Sequence, residues 1–534
     1  QRQNDYPSAG EIEHGNFITG FPVIDNLMLG DQDNLPAEIG RENHGRNPYF
    51  MIPFLLGIFG AIAILYAGRR CKRADAVILA LFLMTGVAIV AYLNQDPGEP
   101  RERDYSFLGS FLAFSIWIAL GMARIIGYAF RLSARHASFR TAPVGAAIIL
   151  FAVPAWMLAV NYHDHDRSGR HAPTDFARNL LESLEPDAII FVDGDNHTFP
   201  LWYAQEVLGV RRDVKVVNLA YLSTAWYVTS LMLPGEESRP IEMQASPEKI
   251  FYEAFNVVRL PSSLPVDSSL SVDALGEIRR IYETDAKVAR FSSDWLRIPV
   301  AGGDSMVVNL RTALGGSSAY TIRELAMLDI VATNAHSRRP RPIYWHDALV
   351  EKQTVGLQRY TSRYLSTRRL TPHINPQTDT AAYLCDEAMA FLPRIRTGGT
   401  DSPGIYLDPY VGNQVARQRL ALLRLGVALK SRGRHKEALR VAHLIDKGFP
   451  DSAWPYQGLV EKTGDVWQEG LVLADIYEES GMATGNSEAA MRGARIRREQ
   501  TARLKEWKRW YNSLPDLQKS TVSSESRRLV RARL

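Results

Sequence analysis

The sequence predicts an α-helical integral membrane segment of four spans, followed by an α/β domain and then an α-helical, tetratricopeptide-like carboxyl-terminal region. Three observations carry this reading. Four long apolar runs crowd into the first 160 residues. A strand, helix, strand pattern follows over 187–219. Beyond Asn413 the chain turns charged, with the rhythm of paired helices.

The apolar runs are 50–67, 76–93, 106–123 and 141–160, and none holds an internal charge. Each meets the roughly 17–25 residues that a helix needs to cross a bilayer. Buried helices of a large soluble core are the alternative, but four such runs in close succession are rare there. The first connection carries Arg69, Arg70, Lys72 and Arg73, and the third carries Arg124, Arg131, Arg135 and Arg140. The second is mixed, with Asp96, Glu99, Glu102 and Asp104 against Arg101 and Arg103. Basic connections stay on the cytoplasmic side. The leader 1–48, the second connection and everything after 160 are therefore expected outside, which in a bacterium is the periplasm, with the spans in the inner membrane. Cys71 and Cys385 then fall on opposite sides, so no disulfide between them is expected. The chain starts at Gln1, without Met or a signal-peptide pattern, and is expected to be part of a longer protein. A formal charge of +4 over 534 residues gives no footprint for nucleic acid.

The α/β domain is expected over 161–405. Residues 176–184 have helical spacing, and 187–192 form a short apolar strand closed by Asp193-Gly-Asp-Asn196. Residues 200–208 suit a helix with Pro in its first turn, and 214–219 form a second strand. Such a unit implies a parallel pair, whose ligands bind beyond the carboxyl ends of the strands. Asp193, Asp195 and Asn196 are therefore candidate binding residues, with a polar turn and helix cap as the alternative; Trp202, in the helix that follows, is a further candidate. The glycine spacing and lysine of a phosphate-gripping loop are missing. Residues 323–333 read as an amphipathic helix and 342–345 as a strand. The helical region is expected over 406–519, with one fair tetratricopeptide-type repeat and a second, degraded one at 472–495. The tail 520–534 is expected to be disordered.

Two smaller constellations stand out. His163-Asp-His-Asp166 alternates ligand types, although a solvated loop explains it more simply, and no metal site is expected there. Tyr221, Trp226 and Tyr227 have the faces of a sugar platform, with core packing or an interfacial aromatic belt as the alternative.

Several blocks keep the order of a known family across 40 to about 370. They are Gly45-Arg-Asn-Pro-Tyr-Phe50, the stretch 94–117 with its Pro100-Arg-Glu-Arg-Asp-Tyr105, Asp164-His-Asp-Arg167, 194–203 and 325–344. In these the chain resembles the carboxyl-terminal half of domain-of-unknown-function family 2723, also classed as glycosyltransferase family 117. These are multi-span envelope proteins of Bacteroidetes and relatives, similar to protein O-mannosyltransferases of the GT-C superfamily. The family pattern has Asp where this chain has His197 and Ala225.

The resemblance implies transfer of a sugar from a polyprenyl-phosphate donor, held in the membrane, to Ser or Thr of exported proteins. Such chemistry needs a carboxylate as base or metal ligand, cations for the phosphate and apolar helices for the lipid tail. The second connection supplies candidates: Asp96, Glu99, Glu102 and Asp104 as catalytic carboxylates, and Arg101, Arg103 and Tyr105 as donor-binding groups. The cofactor is left open, with a divalent metal as one candidate. In GT-C enzymes the usual catalytic acid lies in a first external loop nearer the amino terminus than this chain reaches. The alternative for the second connection is an ion-pair network bracing the loop. The alternative for the whole chain is a non-enzymatic, membrane-anchored envelope scaffold whose helical end recruits protein partners.

Overall fold

The computed structural model describes residues 22–29, 34–36, 51–65, 69–94, 104–136, 140–235, 237–246, 257–261, 271–284, 288–300, 305–313, 319–349, 351–371, 383–456, 458–460, 466–522, 526–527 and 530. They divide into two compact units, Gln1–Ser168 with Arg498–Leu534, and Gly169–Arg497.

In the first unit three helical stretches are long and apolar enough to cross a membrane: Arg73–Leu93 with 21 residues, Tyr105–Arg135 with 31 and Ala142–His163 with 22. The first of the four expected spans is a helix over Met51–Leu65 of 15 residues. At about 1.5 Å per residue it is shorter than a hydrocarbon core of about 30 Å. Residues 50, 66 and 67, which the sequence assigned to that span, lie outside the described residues. The helix Met51–Leu65 lies tightly against Leu108–Arg135 because glycines face each other's backbone. A Cβ on Gly60 would sit 1.9 Å from the Trp117 carbonyl oxygen, and one on Gly121 would sit 2.3 Å from that of Leu56. Small residues at such crossings let helices approach where no hydrophobic effect drives them together.

Just before the apolar run 76–93, the helix of that span encloses one acidic side chain. The helix that begins at Arg69 carries Asp75, which is buried. Its carboxylate Oδ1 accepts a 2.8 Å hydrogen bond from Trp117 Nε1. A carboxylate among apolar helices is tolerated where it has such a donor.

The second unit is α/β. Its strands in chain order are β1 (Ile189–Val192), β2 (Lys215–Asn218), β3 (Val257–Arg259), β4 (Val272–Asp273), β5 (Ala289–Arg290), β6 (Trp295–Pro299), β7 (Ser305–Asn309), β8 (Ala319–Thr321), β9 (Ile343–His346), β10 (Thr361–Tyr364), β11 (Thr367–Leu370), β12 (Gly458–Val460) and β13 (Val466–Gln468). The main sheet has the order β10-β11-β9-β1-β2. Strands β9, β1 and β2 run parallel, with Ile190 between Val216 and Tyr344. The β10–β11 hairpin adds an antiparallel edge to β9. Two three-stranded sheets, β5-β3-β8 and β4-β6-β7, stand apart from it.

The parallel strands are short and apolar at their centres because both faces are covered, with Lys215, Asn218 and His346 at their ends. On one face Ile190, Val192, Val216 and Tyr344 join a core with the helices Ala172–Ser183, Pro409–Ser431 and His435–Gly448. On the other, Ile189, Phe191, Val217, Ile343 and Trp345 join a core with the helix Ile322–His336. That helix is started by a capping box, in which Glu324 Oε2 accepts from the Thr321 N–H at 2.7 Å.

The helix Pro409–Ser431 packs against His435–Gly448, whose Ala438, Val441, Ala442 and Ile445 are buried along one face. Arg419 is fully buried in this region. Its Nε and Nη2 donate to Glu469 at 3.1 and 2.6 Å, Nη1 donates to the Trp454 carbonyl at 2.6 Å and Nη2 to that of Pro455 at 3.0 Å. The guanidinium also lies 4.8 Å from the centre of the Tyr456 ring.

The start of the second unit is fastened to residues 396–408. Asn179 Nδ2 donates to the Arg396 carbonyl and Asn179 Oδ1 accepts from the Arg396 N–H, both at 2.9 Å. The His171 N–H donates to the Gly398 carbonyl at 3.2 Å. Arg170 pairs with Asp408 at 3.7 Å and lies over the Tyr406 ring.

Candidate functional site at the carboxyl edge of the parallel sheet

Strand β1 connects forward to β2 on one side, while β9 joins it on the other. The crevice between the carboxyl ends of β1 and β9 is thus where strand order reverses, the usual ligand position in such sheets. Two sequence segments about 150 residues apart meet there, after β1 and at the end of β9.

After β1 the chain turns through Asp193 and Gly194. Gly194 has φ +79 and ψ 156, a conformation open essentially to glycine alone, and it starts the helix Asp195–Glu206. The sequence expectation of a helix from 200 is corrected by five residues. Pro200 lies inside the helix and not at its first turn. Proline removes the N–H that would bond the carbonyl of residue 196, and Gln414 Nε2 approaches that Asn196 oxygen at 3.5 Å instead.

The crevice is polar and largely neutral. Asp193 Oδ2 accepts from Gln353 Nε2 at 2.5 Å. The rings of His197 and His346 lie 4.4 Å apart, centre to centre, tilted by 40°. Burial lowers the pKa of His197, helped by the positive charge of Arg417 and opposed by the Asp193 carbonyl. Burial brings His346 down to about 3, with His197 adding to the effect. Both rings are therefore neutral at pH 7, and their contacts set the tautomers. His197 Nδ1 lies 3.0 Å from the Asp193 carbonyl oxygen and must carry the hydrogen, which leaves Nε2 as an acceptor. His346 Nδ1 accepts from the Ala348 N–H at 3.2 Å, so its Nε2 carries the hydrogen. The crevice thus offers one neutral acceptor and one neutral donor, the pair that an uncharged hydroxyl can satisfy.

Asp347 follows at once and is held differently. Burial raises its pKa, but Arg363, Arg424 and Arg368 outweigh that and keep the group below the usual carboxylate range. Arg363 Nη1 donates to it at 2.5 Å and Arg368 Nε lies at 3.7 Å, with Arg424 also paired to it. This cluster ties β9, the β10–β11 hairpin and the helix Pro409–Ser431 together.

Beyond β2 lies a row of aromatic rings. Phe199 and Trp202 stand 5.7 Å apart, Trp202 and Tyr221 are stacked at 6.2 Å, and Tyr221 and Trp226 are 5.7 Å apart. Phe199 is 48% and Trp226 61% exposed. Tyr227 anchors the row from beneath: its hydroxyl accepts from the Asn218 N–H at 2.8 Å and donates to the Val216 carbonyl at 3.3 Å. The Asn218 side chain accepts from the Ala220 N–H at 2.8 Å and donates to Thr198 at 3.0 Å, which fixes the turn to the helix Asp195–Glu206.

The sequence candidates are distributed as follows. Asp193 sits in the crevice, and Asp195 and Asn196 are exposed on the first turn of the next helix. Trp202 belongs to the aromatic row. Asp96, Glu99, Arg101, Glu102 and Arg103 lie outside the described residues. Asp104 and Tyr105 open a short 3-10 turn, Asp104–Phe107, and Tyr105 is 70% exposed. In the His163–Asp166 segment, His165 Nδ1 bonds the Asn161 carbonyl and Asp166 accepts from Ser168. Among the described residues no three His, Cys, Asp or Glu side chains converge as a metal set would. His346, Gln353 and Arg417 were not identified from sequence; the only local signal was a polar His-Asp pair closing the strand at 342–345.

Residues 173–300 match the family model described as TMEM260-associated domain 2. That stretch contains β1, β2, His197 and the whole aromatic row. Over 190 residues the chain is 27% identical to protein O-mannosyl-transferase TMEM260 of Mus musculus, covering 33% of this chain and 26% of that protein. The chain thus spans about a quarter of the length of the curated relative it matches. No solved structure matches it. These matches support an O-mannosyltransferase-like family; they do not reach the narrower assignment to family 2723.

Proposed function

We propose that this chain is part of a membrane glycosyltransferase that moves a sugar from a polyprenyl-phosphate donor to Ser or Thr of exported proteins. The similarity to a protein O-mannosyl-transferase carries the reading. The apolar helices are the second support, because a polyprenyl tail needs an apolar host. In this reading the protein lies in a bacterial inner membrane with Met51–Leu65 completing a fourth crossing. The unit Gly169–Arg497 stands in the periplasm, with its helical end a tetratricopeptide-like surface for a protein partner.

The reaction would run at the second connection. The acceptor hydroxyl oxygen attacks the anomeric carbon, and a new C–O bond forms. The bond from that carbon to the phosphate oxygen breaks, and its electron pair leaves with the phosphate. The hydroxyl proton passes to a carboxylate, for which Asp96, Glu99, Glu102 and Asp104 are the candidates within this chain. Arg101 and Arg103 would hold the departing phosphate through bidentate contacts, with Asp104 orienting them. A divalent metal would fall to the same carboxylates.

The test is a glycoproteomic comparison of envelope proteins from wild-type cells and cells lacking the full-length gene. Loss of one O-linked sugar from many exported proteins, with accumulation of the lipid-linked donor, is expected. Unchanged glycosylation overturns the proposal and favours the anchored scaffold. Arg103→Ala in the full-length protein separates donor binding from bracing of the loop: lost transfer with normal folding supports the first, lost folding the second.

A further inference from the structure

Four polar groups of the crevice between β1 and β9 are left without a partner among the described residues. His197 Nε2 is an acceptor and His346 Nε2 carries a hydrogen, because the other nitrogen of each ring is fixed by the backbone. The two rings lie 4.4 Å apart, yet neither Nε2 bonds the other ring or any other described residue. Asp193 commits Oδ2 to Gln353, and its Oδ1 takes no bond from a described residue. Arg417 is the fourth. It lies one helical turn after Gln414, which reaches the Asn196 carbonyl. Burial keeps both histidine rings neutral, and the charge of Arg417 adds to that at each of them. The Arg417 side chain is exposed and makes no ion pair or hydrogen bond to a described residue.

The backbone is held in unusual conformations on both sides of these groups. Gly194, next to Asp193, has φ +79. Val355, two residues after Gln353, has φ +51 although it is β-branched and buried. A β-branched residue there is a genuine outlier, and such strain is kept where it positions a functional group.

The four groups select a ligand by exclusion. An anion would meet the Asp193 carboxylate and the His197 lone pair. A metal ion would meet the His346 N–H and the Arg417 cation, and no three His, Cys, Asp or Glu side chains converge among the described residues. An apolar group would enclose two acceptors and two donors without partners, which is unfavourable for each. A single hydroxyl satisfies the histidine pair and leaves Asp193 Oδ1 and Arg417. Two adjacent hydroxyls satisfy all four, since each donates one hydrogen and accepts another.

We infer that this crevice binds a neutral vicinal diol, the group that a sugar ring presents. One hydroxyl donates to His197 Nε2 and accepts from the His346 Nε2–H. Its neighbour donates to Asp193 Oδ1 and accepts from the Arg417 guanidinium. All four groups belong to the unit Gly169–Arg497. The assignment rests on their hydrogen-bonding character and not on the sugar-transfer reading. A lipid-linked sugar and a protein-linked glycan present the same diol, and the crevice itself favours neither.

The test uses the whole protein in lipid nanodiscs, with methyl α-mannoside as the probe, read by saturation-transfer NMR. Binding is expected. Arg417→Ala weakens it by about tenfold, the order of one lost hydrogen bond to a charged group. Arg417 is exposed, so the circular dichroism melting curve of that variant is unchanged. His197→Phe keeps an aromatic ring, removes the acceptor and also weakens binding. No saturation transfer in the wild type overturns the inference, as does binding that survives both substitutions. Displacement of the probe by inorganic phosphate overturns it in favour of an anion site, and displacement by acetamide in favour of a peptide-amide site. Displacement by polyprenyl-phosphate mannose alone supports the diol and names the lipid-linked sugar as its source; displacement by a mannosylated peptide alone supports it and names the protein-linked glycan. Diol binding in a protein without transfer activity leaves this site standing and removes the sugar-transfer reading; transfer without binding here does the reverse.

Discussion

The two units place the same kinds of side chain in opposite positions. In the membrane unit Leu55, Met84, Phe111 and Ile149 are exposed, while in the α/β unit Phe191, Val217, Ile330 and Trp345 are completely buried. The difference is one of solvent. Helices that face lipid have no reason to hide apolar groups, whereas strands in water must be covered on both faces. What does not differ is the treatment of enclosed charge. Asp75 has the Trp117 indole, Arg419 has Glu469 and Asp347 has three arginines. The rule that an enclosed charge needs a partner holds in both solvents.

The strongest challenge to that comparison is to break the most buried pair. Arg419→Met leaves Glu469 enclosed without its partner. It should destabilise the α/β unit by about 3–5 kcal/mol, read by chemical denaturation, without changing membrane insertion measured by alkaline extraction. Equal damage in both assays would show that the units are not separable.

Acid should act next most strongly, through two buried groups of the α/β unit. His346 titrates near 3 in the folded protein against an ordinary value of 6.5. Below about 6.5 the unfolded chain takes up a proton that the folded chain refuses. Stability is therefore full above that pH and falls, by up to a few kcal/mol, as pH drops toward 3. Asp329 opposes this. Burial raises it to about 6, so between 6 and 3.8 the folded state holds the proton more tightly and gains stability as pH falls. His346→Asn should flatten the acid loss of melting temperature, and Asp329→Asn should deepen it. The same slope in all three proteins would remove both assignments.

Trp117→Phe keeps an aromatic side chain but deletes the indole N–H that donates to Asp75. A cost of about 1–3 kcal/mol in the membrane unit is expected, seen as easier unfolding in a mixed-micelle denaturation series, with no effect on the α/β unit. Trp226→Ala sharpens the comparison from the other end. Its ring is exposed, so stability should move by less than about 0.5 kcal/mol, and a larger loss by calorimetry would make the row part of the core.

How legible the fold was depended on the range of the interactions. The β1–β2 pair was legible because its apolar runs and closing Asp-Gly are local signals, and β9 and the helix Ile322–His336 lay within a few residues of expectation. The start of the helix at Asp195 was hidden by Pro200, which marks a first turn by itself and sits mid-helix here, with Gln414 near the carbonyl it leaves unbonded. Asp193 could be named from its place after a strand. Its partner Gln353 and the contact of His197 with His346 could not, since each joins residues about 150 or more positions apart and depends on β9 lying beside β1. Asp75 was overlooked for a related reason: its donor comes from a different helix, 42 residues away.

The fastening of residues 170–179 to 396–408 has a mechanical consequence. Tension passed down the chain from the helix Ala142–His165 reaches Arg170 and His171 before any strand of the sheet. There it meets the Arg170–Asp408 contact, the His171–Gly398 bond and the paired Asn179–Arg396 bonds, which share the strain and are anchored in a segment more than 200 residues further along. A pull on the chain at Gly169 is thus shared with residues 396–408 before it reaches β1.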